Sequence, residues 1–386
     1  MSRTRKTVIN NVRVFNGTEL TAPQTVVIDG DVIGENTDNA TGVVDGKGGV
    51  LLPGFIDAHV HLHHEGHLQD LAKYGVTTAL DMAMWPADKM NSLRNKPGLP
   101  SIQSAGLPVT APGSLHSHFL PLPKEALLSG PDEAAKFVRA RLDEGSDYIK
   151  LIADVPGPSQ ETLNAVTKAA HDKNKKVVAH ASAYEPFQMA LDAKADIITH
   201  APMDQCVSSD MVNRMVANKV VSVPTLSMME ATSQRPPVSA LFRLMLQPSL
   251  FMAIIRAKTG GGKQPPKYVN AKDSVKAMYD AGVPVLAGTD CHDEPNSFFD
   301  VKHGESMHHE MELLVDAGVP TVDVLRAATM LPAVHFGLED RGVVEAGKRA
   351  DLVLLSDNPI KDIKATRSIV RVWCGGIDVD GVKGAA

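Results

Sequence analysis

The chain has 386 residues, 43% of them apolar and 22% charged, a globular composition that excludes collagen-like or disordered chains. Its 39 basic and 45 acidic side chains leave a net charge of −6 with no long Lys/Arg run, so no nucleic-acid partner is expected. Three scattered cysteines form neither a disulfide framework nor a zinc-binding pair, and no apolar stretch of about 18 residues could span a bilayer; a soluble, cytoplasmic protein with no membrane partner is expected.

In chain order, the first fifty residues read as strands. TVINNVRVFNG, TVVIDGDVIGE and TGVVDGKGGVLLPG alternate apolar and polar residues between Asn-Gly, Asp-Gly and Gly-Gly turns. Eight short apolar runs follow, each trailed by helical or loop sequence: GFIDAHVHL, VTTALDMA, SIQSAGLPVT, DYIKLIA, KVVAHAS, ADIITHA, VVSVPTL and PVLAGTD. PDEAAKFVRARLDEG and SQETLNAVTKAAHDKN read as helices between them, started by Pro131 and Ser159. Strands alternating with helices predict an α/β fold, a (β/α)8 TIM barrel over residues 54–336. The rhythm breaks from Ser227 to Tyr268, which is too long for an ordinary βα loop. Within it, Leu241 to Lys258 is densely apolar and Pro248 should divide it; it packs on the barrel, covers its mouth or meets another subunit. After Asp290, HHEMELLVDAG and TVDVLRAATMLPAVHFG read as two further helices. RGVVEAGKRADLVLLS and SIVRVWCGGIDVD return to the strand pattern, so residues 1–53 and 337–386 are expected to form one small β-sandwich domain from both chain ends.

Of the 15 histidines, five fall between His59 and His67. Residues two apart in a strand share a face, so Asp57, His59 and His61 project to one side and Ile56, Ala58, Val60 and Leu62 to the other. The apolar set can pack on surrounding helices, leaving two imidazoles inside the barrel at the strand's C-terminal end, where barrel active sites lie. KVVAHA ends on His180, ADIITHA on His200 and PVLAGTD on Asp290. His59 and His61 alone could be two satisfied core histidines; four imidazoles and a carboxylate at one rim suit zinc or a similar divalent ion. DYIKLIA places Lys150 in an apolar run, where an unpaired ammonium is costly. It is either paired with a carboxylate or a neutral amine able to add carbon dioxide as a carbamate.

PGFIDAHVHL, DYIKL, VVAHA, IITHA and GTD, in this order, resemble the binuclear-metal amidohydrolase superfamily, and ATMLPA and GKRADLVLL resemble its closing helix and return to the β domain. Within it the chain is most similar to the imidazolonepropionase-related group, with its Xaa-Pro dipeptidases and ochratoxinase-like amidases. PVTAPGSLHSHF resembles that group's Gly-rich stretch with a substrate-side histidine, although Gly113-Ser114-Leu115-His116 stands where Gly-Gly-His is expected. His116 and His118 are both candidates for that role.

The resemblance implies two divalent metal ions, zinc being expected. His59, His61 and Asp290 would hold one, His180 and His200 the other, with carbon dioxide carried as a carbamate on Lys150 between them. A hydroxide between the ions would attack a carbonyl, and Asp290 would pass the proton to the leaving amine. Asp290 and Lys150 are thus the catalytic residues implied; His116 or His118, Tyr184 and His292 are the substrate contacts. His63, His64 and His67 are expected to be solvated or to stand behind the ligands. The implied reaction is hydrolysis of an amide in a small peptide-like or N-acyl amino acid substrate, mycotoxin-type amides included, by a homo-oligomer. A cyclic amide or lactone is the alternative substrate, and a non-catalytic scaffold the third reading.

Overall fold

The computed structural model describes residues 6–234, 266–293 and 299–382. The N-terminal alternation forms five strands, β1 (Lys6–Val14), β2 (Gln24–Asp29), β3 (Val32–Gly34), β4 (Gly42–Asp45) and β5 (Val50–Pro53). Seven strands come from the apolar runs of the middle: β6 (Phe55–Val60), β7 (Val76–Asp81), β8 (Ser101–Ser104), β9 (Ile149–Ile152), β10 (Val177–His180), β11 (Ile197–Thr199) and β12 (Val221–Val223). The C-terminal end adds β13 (Leu352–Leu355), β14 (Ile369–Cys374) and β15 (Ile377–Asp378).

The two chain ends share a sheet. Its order is β15-β14-β13-β5-β1-β2-β3, with β4 also on β1. β13 runs antiparallel to β5, with Val353 opposite Leu52. A small β-sandwich was expected, and its strands are linked through β1 into one hydrogen-bonded array. The reason lies in β1, whose first half pairs with β2 and β4 and whose end pairs with β5. A register shift between Ile9 and Val12, with Asn11 at φ 54°, turns the strand from one set of partners to the other.

The middle forms two parallel sheets, β6-β7-β8 and β12-β11-β10-β9. Smaller links join them: Val109 bridges Leu151, Val285 bridges Ser222 and Cys291 bridges Val60. The run PVLAGTD, expected as an eighth strand, makes such links without becoming a regular strand. Pro284 has no N–H to give a ladder. Gly288 passes so close to β6 and β12 that a Cβ there would lie 2.5 Å from Val223 Cγ1 and 2.9 Å from the His59 nitrogen. Asp290 then leaves extended geometry at φ 55°, its N–H donating to His59 O at 2.7 Å.

The apolar face of β6 divides rather than packing as one set. Ile56 and Ala58 join a cluster drawn from the other strands, including Leu80, Val178, Ile197, Val221 and Leu286. Val60 and Leu62 join the large cluster that includes the helices. The cause is a register shift in the β6–β7 pairing between Asp57 and Val60, which interrupts the simple alternation.

Helices α1 (Glu65–Lys73), α2 (Ala87–Leu93), α3 (Leu115–Phe119), α4 (Ala134–Asp143), α5 (Gln160–His171), α6 (Tyr184–Asp192), α7 (Ser209–Asn218), α8 (Leu226–Ser233), α9 (Tyr268–Asp280) and α10 (Glu305–Asp316) lie between the strands. Pro131 opens a short 3-10 turn leading into α4, and the Ser159 hydroxyl caps α5 by accepting from the Thr162 N–H. TVDVLRAATMLPAVHFG, expected as one helix, divides into α11 (Thr321–Ala327) and α12 (Met330–Phe336). Thr329 breaks it, leaving helical geometry while its hydroxyl bonds Leu325 O at 2.6 Å. The apolar segment Leu241 to Lys258 and Pro248 lie outside the described residues.

Candidate metal centre

The functional side chains come from strands and from the residues just beyond them. β6 supplies His59 and, just beyond it, His61; β9 supplies Lys150, β10 His180, and the residue after β11 is His200. Asp290 closes the ring from the eighth apolar run. Its Oδ1 lies 2.9 Å from His61 Nε2 and 3.4 Å from His59 Nε2, and its Oδ2 lies 3.7 Å from His200 Nδ1. The His200 ring centroid is 5.0 Å from His59 and 4.3 Å from His180. Lys150 is 3% exposed and donates from Nζ to Thr199 Oγ1 at 2.9 Å. Asp57 fastens the run holding Asp290 to β6, accepting from Thr289 N at 3.0 Å and Thr289 Oγ1 at 2.7 Å.

Backbone geometry marks the same place. His200, Thr225 and Asp290 are buried at φ 74°, 49° and 55°. The other non-glycine residues at positive φ among those described are exposed Asn or Lys. Buried side chains held in this region store strain, which concentrates at functional sites.

Burial sets the electrostatics. It drives His59 and His180 well below the usual imidazole range, with Lys150 and neighbouring rings adding to the shift. It takes His200 down to about 3, against the opposing pull of Asp290. For Asp290 burial acts upward, but the His61 hydrogen bond and the charges around it hold the carboxyl below its ordinary value. Lys150 is pushed down by burial to about 7, with Asp290 and Asp81 opposing. The result is three neutral imidazoles, His59, His180 and His200, around one carboxylate and one easily deprotonated amine. His59 Nδ1 and His180 Nε2 are buried without a hydrogen-bond partner. Imidazole nitrogens beside a carboxylate, as His59 Nε2 and His61 Nε2 are beside Asp290, are the donor set a divalent cation takes.

The expected residues lie close together, with Asp154 drawn in beside them. His59, His200 and Asp290 form one close group of potential ligands, and His116, Asp154 and His180 another. His180 was expected to group with His200; its ring is 4.3 Å from both His200 and His116. His116 lies in α3 against this group, whereas His118 in the same short helix is exposed. His292 stacks edge-on to His61 at 5.9 Å. Tyr184 begins α6, its N–H donating to Asp204 Oδ1 at 2.8 Å.

Asp154 was not singled out in the sequence. Its Oδ2 accepts from the His116 backbone N–H at 3.2 Å and pairs with His116 Nδ1 at 2.8 Å. The local signal was its place directly after the run IKLIA. The Asp154 carboxylate lifts His116 above the usual imidazole range, although burial acts the other way.

A third group, His67, Asp293 and His303, lies beside the first loop. His67 and His303 stack at 3.7 Å, and His303 pairs with Asp293 Oδ1 at 2.5 Å and with His61 O at 2.9 Å. His67 is buried behind the strand end, His63 is half-buried and His64 exposed.

A parallel α/β fold that gathers imidazoles, a carboxylate and a buried lysine at its strand ends defines a metal-binding class of hydrolase. Residues 50–378 match the amidohydrolase family, and the chain belongs to it. It is an enzyme acting on amide or other carbon–nitrogen bonds. It is 27% identical over 372 residues to an uncharacterized protein of Mycobacterium tuberculosis, covering 90% of each chain. Its fold is similar to that of a Xaa-Pro dipeptidase with bound methionine in the active site, with a TM-score of 0.78 at 24% identity, over 97% of this chain and 100% of that one. It is also similar to Aspergillus niger ochratoxinase, with a TM-score of 0.74 at 18% identity, over 99% of this chain and 96% of that one.

Proposed function

We propose that this chain is a metal-dependent hydrolase that cleaves an amide bond in a peptide-like or N-acyl amino acid substrate. The observation that carries the reading is the convergence of His59, His61, His180, His200 and Asp290 around the buried Lys150. In this reading the two parallel sheets and the PVLAGTD run make a (β/α)8 barrel over residues 54–336. Residues 1–53 and 337–386 make the accompanying β domain.

His59, His61 and Asp290 would hold one divalent ion, zinc being the expected metal, and His180 and His200 a second, with Lys150 between. Bound there, the ions would acidify a water and polarise the scissile carbonyl. Lys150 acts as the neutral amine: its Nζ lone pair bonds to the carbon of carbon dioxide and loses a proton, leaving a carbamate anion. Burial favours that amine by disfavouring the ammonium, and Thr199 Oγ1 fixes where Nζ points. Asp290 takes a proton from the attacking water on a carboxylate oxygen and delivers it to the leaving nitrogen. His116, held at Nδ1 by Asp154, offers its other nitrogen to a substrate oxygen. Tyr184 and His292 line the approach. The names of the two solved structures, a dipeptidase and an ochratoxinase, support a linear amide as substrate.

The test is product analysis over dipeptides, N-acyl amino acids, cyclic amides and lactones, before and after chelation. Amine release from a linear amide, abolished by chelator and restored by zinc, is expected. Turnover confined to cyclic amides or lactones would replace the substrate class, and no turnover by metal-loaded protein would favour a scaffold.

A further inference from the structure

Two buried groups near the centre have no part in that chemistry. Glu310 of α10 is fully buried and has no cationic partner among the described residues. Its Oε1 accepts from the Leu226 N–H at 2.9 Å and its Oε2 from the Ser227 N–H at 2.7 Å. These are the first N–H groups of α8. Thr225 is the residue before them, in the position where a threonine hydroxyl ordinarily accepts an N–H of the first turn.

Here the Thr225 hydroxyl caps nothing. It pairs instead with His200 Nδ1 at 2.7 Å, in a fully buried site. Glu310 has taken over the capping of α8 from across the fold, and the threonine is turned toward the strand end. Thr225 holds φ 49° and ψ 50° to do so, a conformation that a β-branched residue adopts only when its surroundings compel it. Glu310 and His200 are what compel it from either side.

We propose that Thr225 is a positioning residue for metal binding: its hydroxyl, released from capping by Glu310, accepts the His200 Nδ1–H and holds Nε2 as the ligand nitrogen. This rests on the reading of His200 as a metal ligand. A neutral imidazole carries one N–H, so fixing it on Nδ1 leaves the lone pair on Nε2 and sets the plane of the ring. Outer partners of this kind tune metal affinity without touching the ion.

The test is titration of the metal-depleted full-length protein with zinc ions alone, against a chelator of known affinity, with a thermal melt to confirm folding. Thr225→Val removes the hydroxyl at constant shape and should weaken zinc binding about 10- to 100-fold, while Thr225→Ser should stay within about threefold of the parent. Glu310→Gln has one acceptor for two N–H groups, so the threonine hydroxyl is drawn back to α8; an intermediate loss is expected. Parent affinity in folded Thr225→Val, or a Thr225→Ser protein no better than Thr225→Val, overturns the relay. Should Thr225→Val fail to fold, Glu310→Gln decides: parent affinity there overturns the proposal. A parent that binds no zinc overturns the ligand reading of His200 as well, which separates the two failures.

Discussion

Two histidine clusters lie side by side in this molecule, and their hydrogen bonds set them apart. In the cluster behind the first loop, His303 has acceptors at both ring nitrogens, Asp293 Oδ1 and His61 O. His67 Nδ1 accepts from the His63 N–H at 3.2 Å, so the proton of its neutral ring sits on Nε2. Neither ring offers a metal a lone pair in that state. At the strand ends, His59 Nδ1 and His180 Nε2 are buried without any partner. His63 stands on the border, its Nε2 unpartnered and its ring 5.7 Å from His292. Residue type therefore does not distinguish a metal centre from a hydrogen-bonded network. The accounting of lone pairs does.

The largest effect that would sharpen this contrast comes from Lys150. Lys150→Ala should abolish turnover and release one or both metals. Lys150→Arg should not restore either, since guanidinium stays charged and cannot form a carbamate. Full activity in Lys150→Arg would remove the carbamate from the account.

Asp290→Asn keeps an oxygen at the same place but carries no proton. Turnover should fall roughly 10²-fold or more with metals largely retained, the scale of general acid–base catalysis. Turnover within a few-fold of the parent would assign the proton to another group.

Asp154→Asn keeps an acceptor for the His116 backbone and removes the charge facing its ring. A rise in KM of about tenfold with turnover little changed is expected, the size of one hydrogen bond to a charged group. An unchanged KM would separate His116 from substrate binding.

The smallest effect belongs to an imidazole fully served by protein. His308 is buried between Thr366 Oγ1 at 3.0 Å and Tyr74 O at 3.1 Å. Burial, helped by the Arg367 charge, lowers it from 6.5 to about 3. Between those values the unfolded chain binds a proton that the folded chain does not, so this group's contribution to stability falls as pH drops through that window. Urea denaturation of His308→Gln across pH 3 to 6.5 should show a shallower acid loss than the parent. Equal slopes would contradict the assignment.

What sequence revealed and what it hid follow from distance along the chain. His59, His61, Lys150, His180, His200 and Asp290 each close or interrupt a local apolar run, so each could be read within a few residues of itself. The face of β6 could not, because the register shift between Asp57 and Val60 arises from pairing with β7. The partners that orient the site are remote: Asp154 is 38 residues from His116, Glu310 is 84 from Leu226, and His303 is 242 from His61. The positive φ of His200, Thr225 and Asp290 was equally hidden, since none of these residue types favours it strongly enough to announce a turn in a buried strand end.

The measurement that meets the central claim most directly is metal content per chain, taken on the parent, His67→Phe and His200→Ala after dialysis against zinc and then metal-free buffer. The strand-end cluster should hold about two ions in the parent and in His67→Phe, and fewer in His200→Ala. A parent free of metal, or a His67→Phe protein that loses an ion while His200→Ala keeps its full complement, would contradict the account.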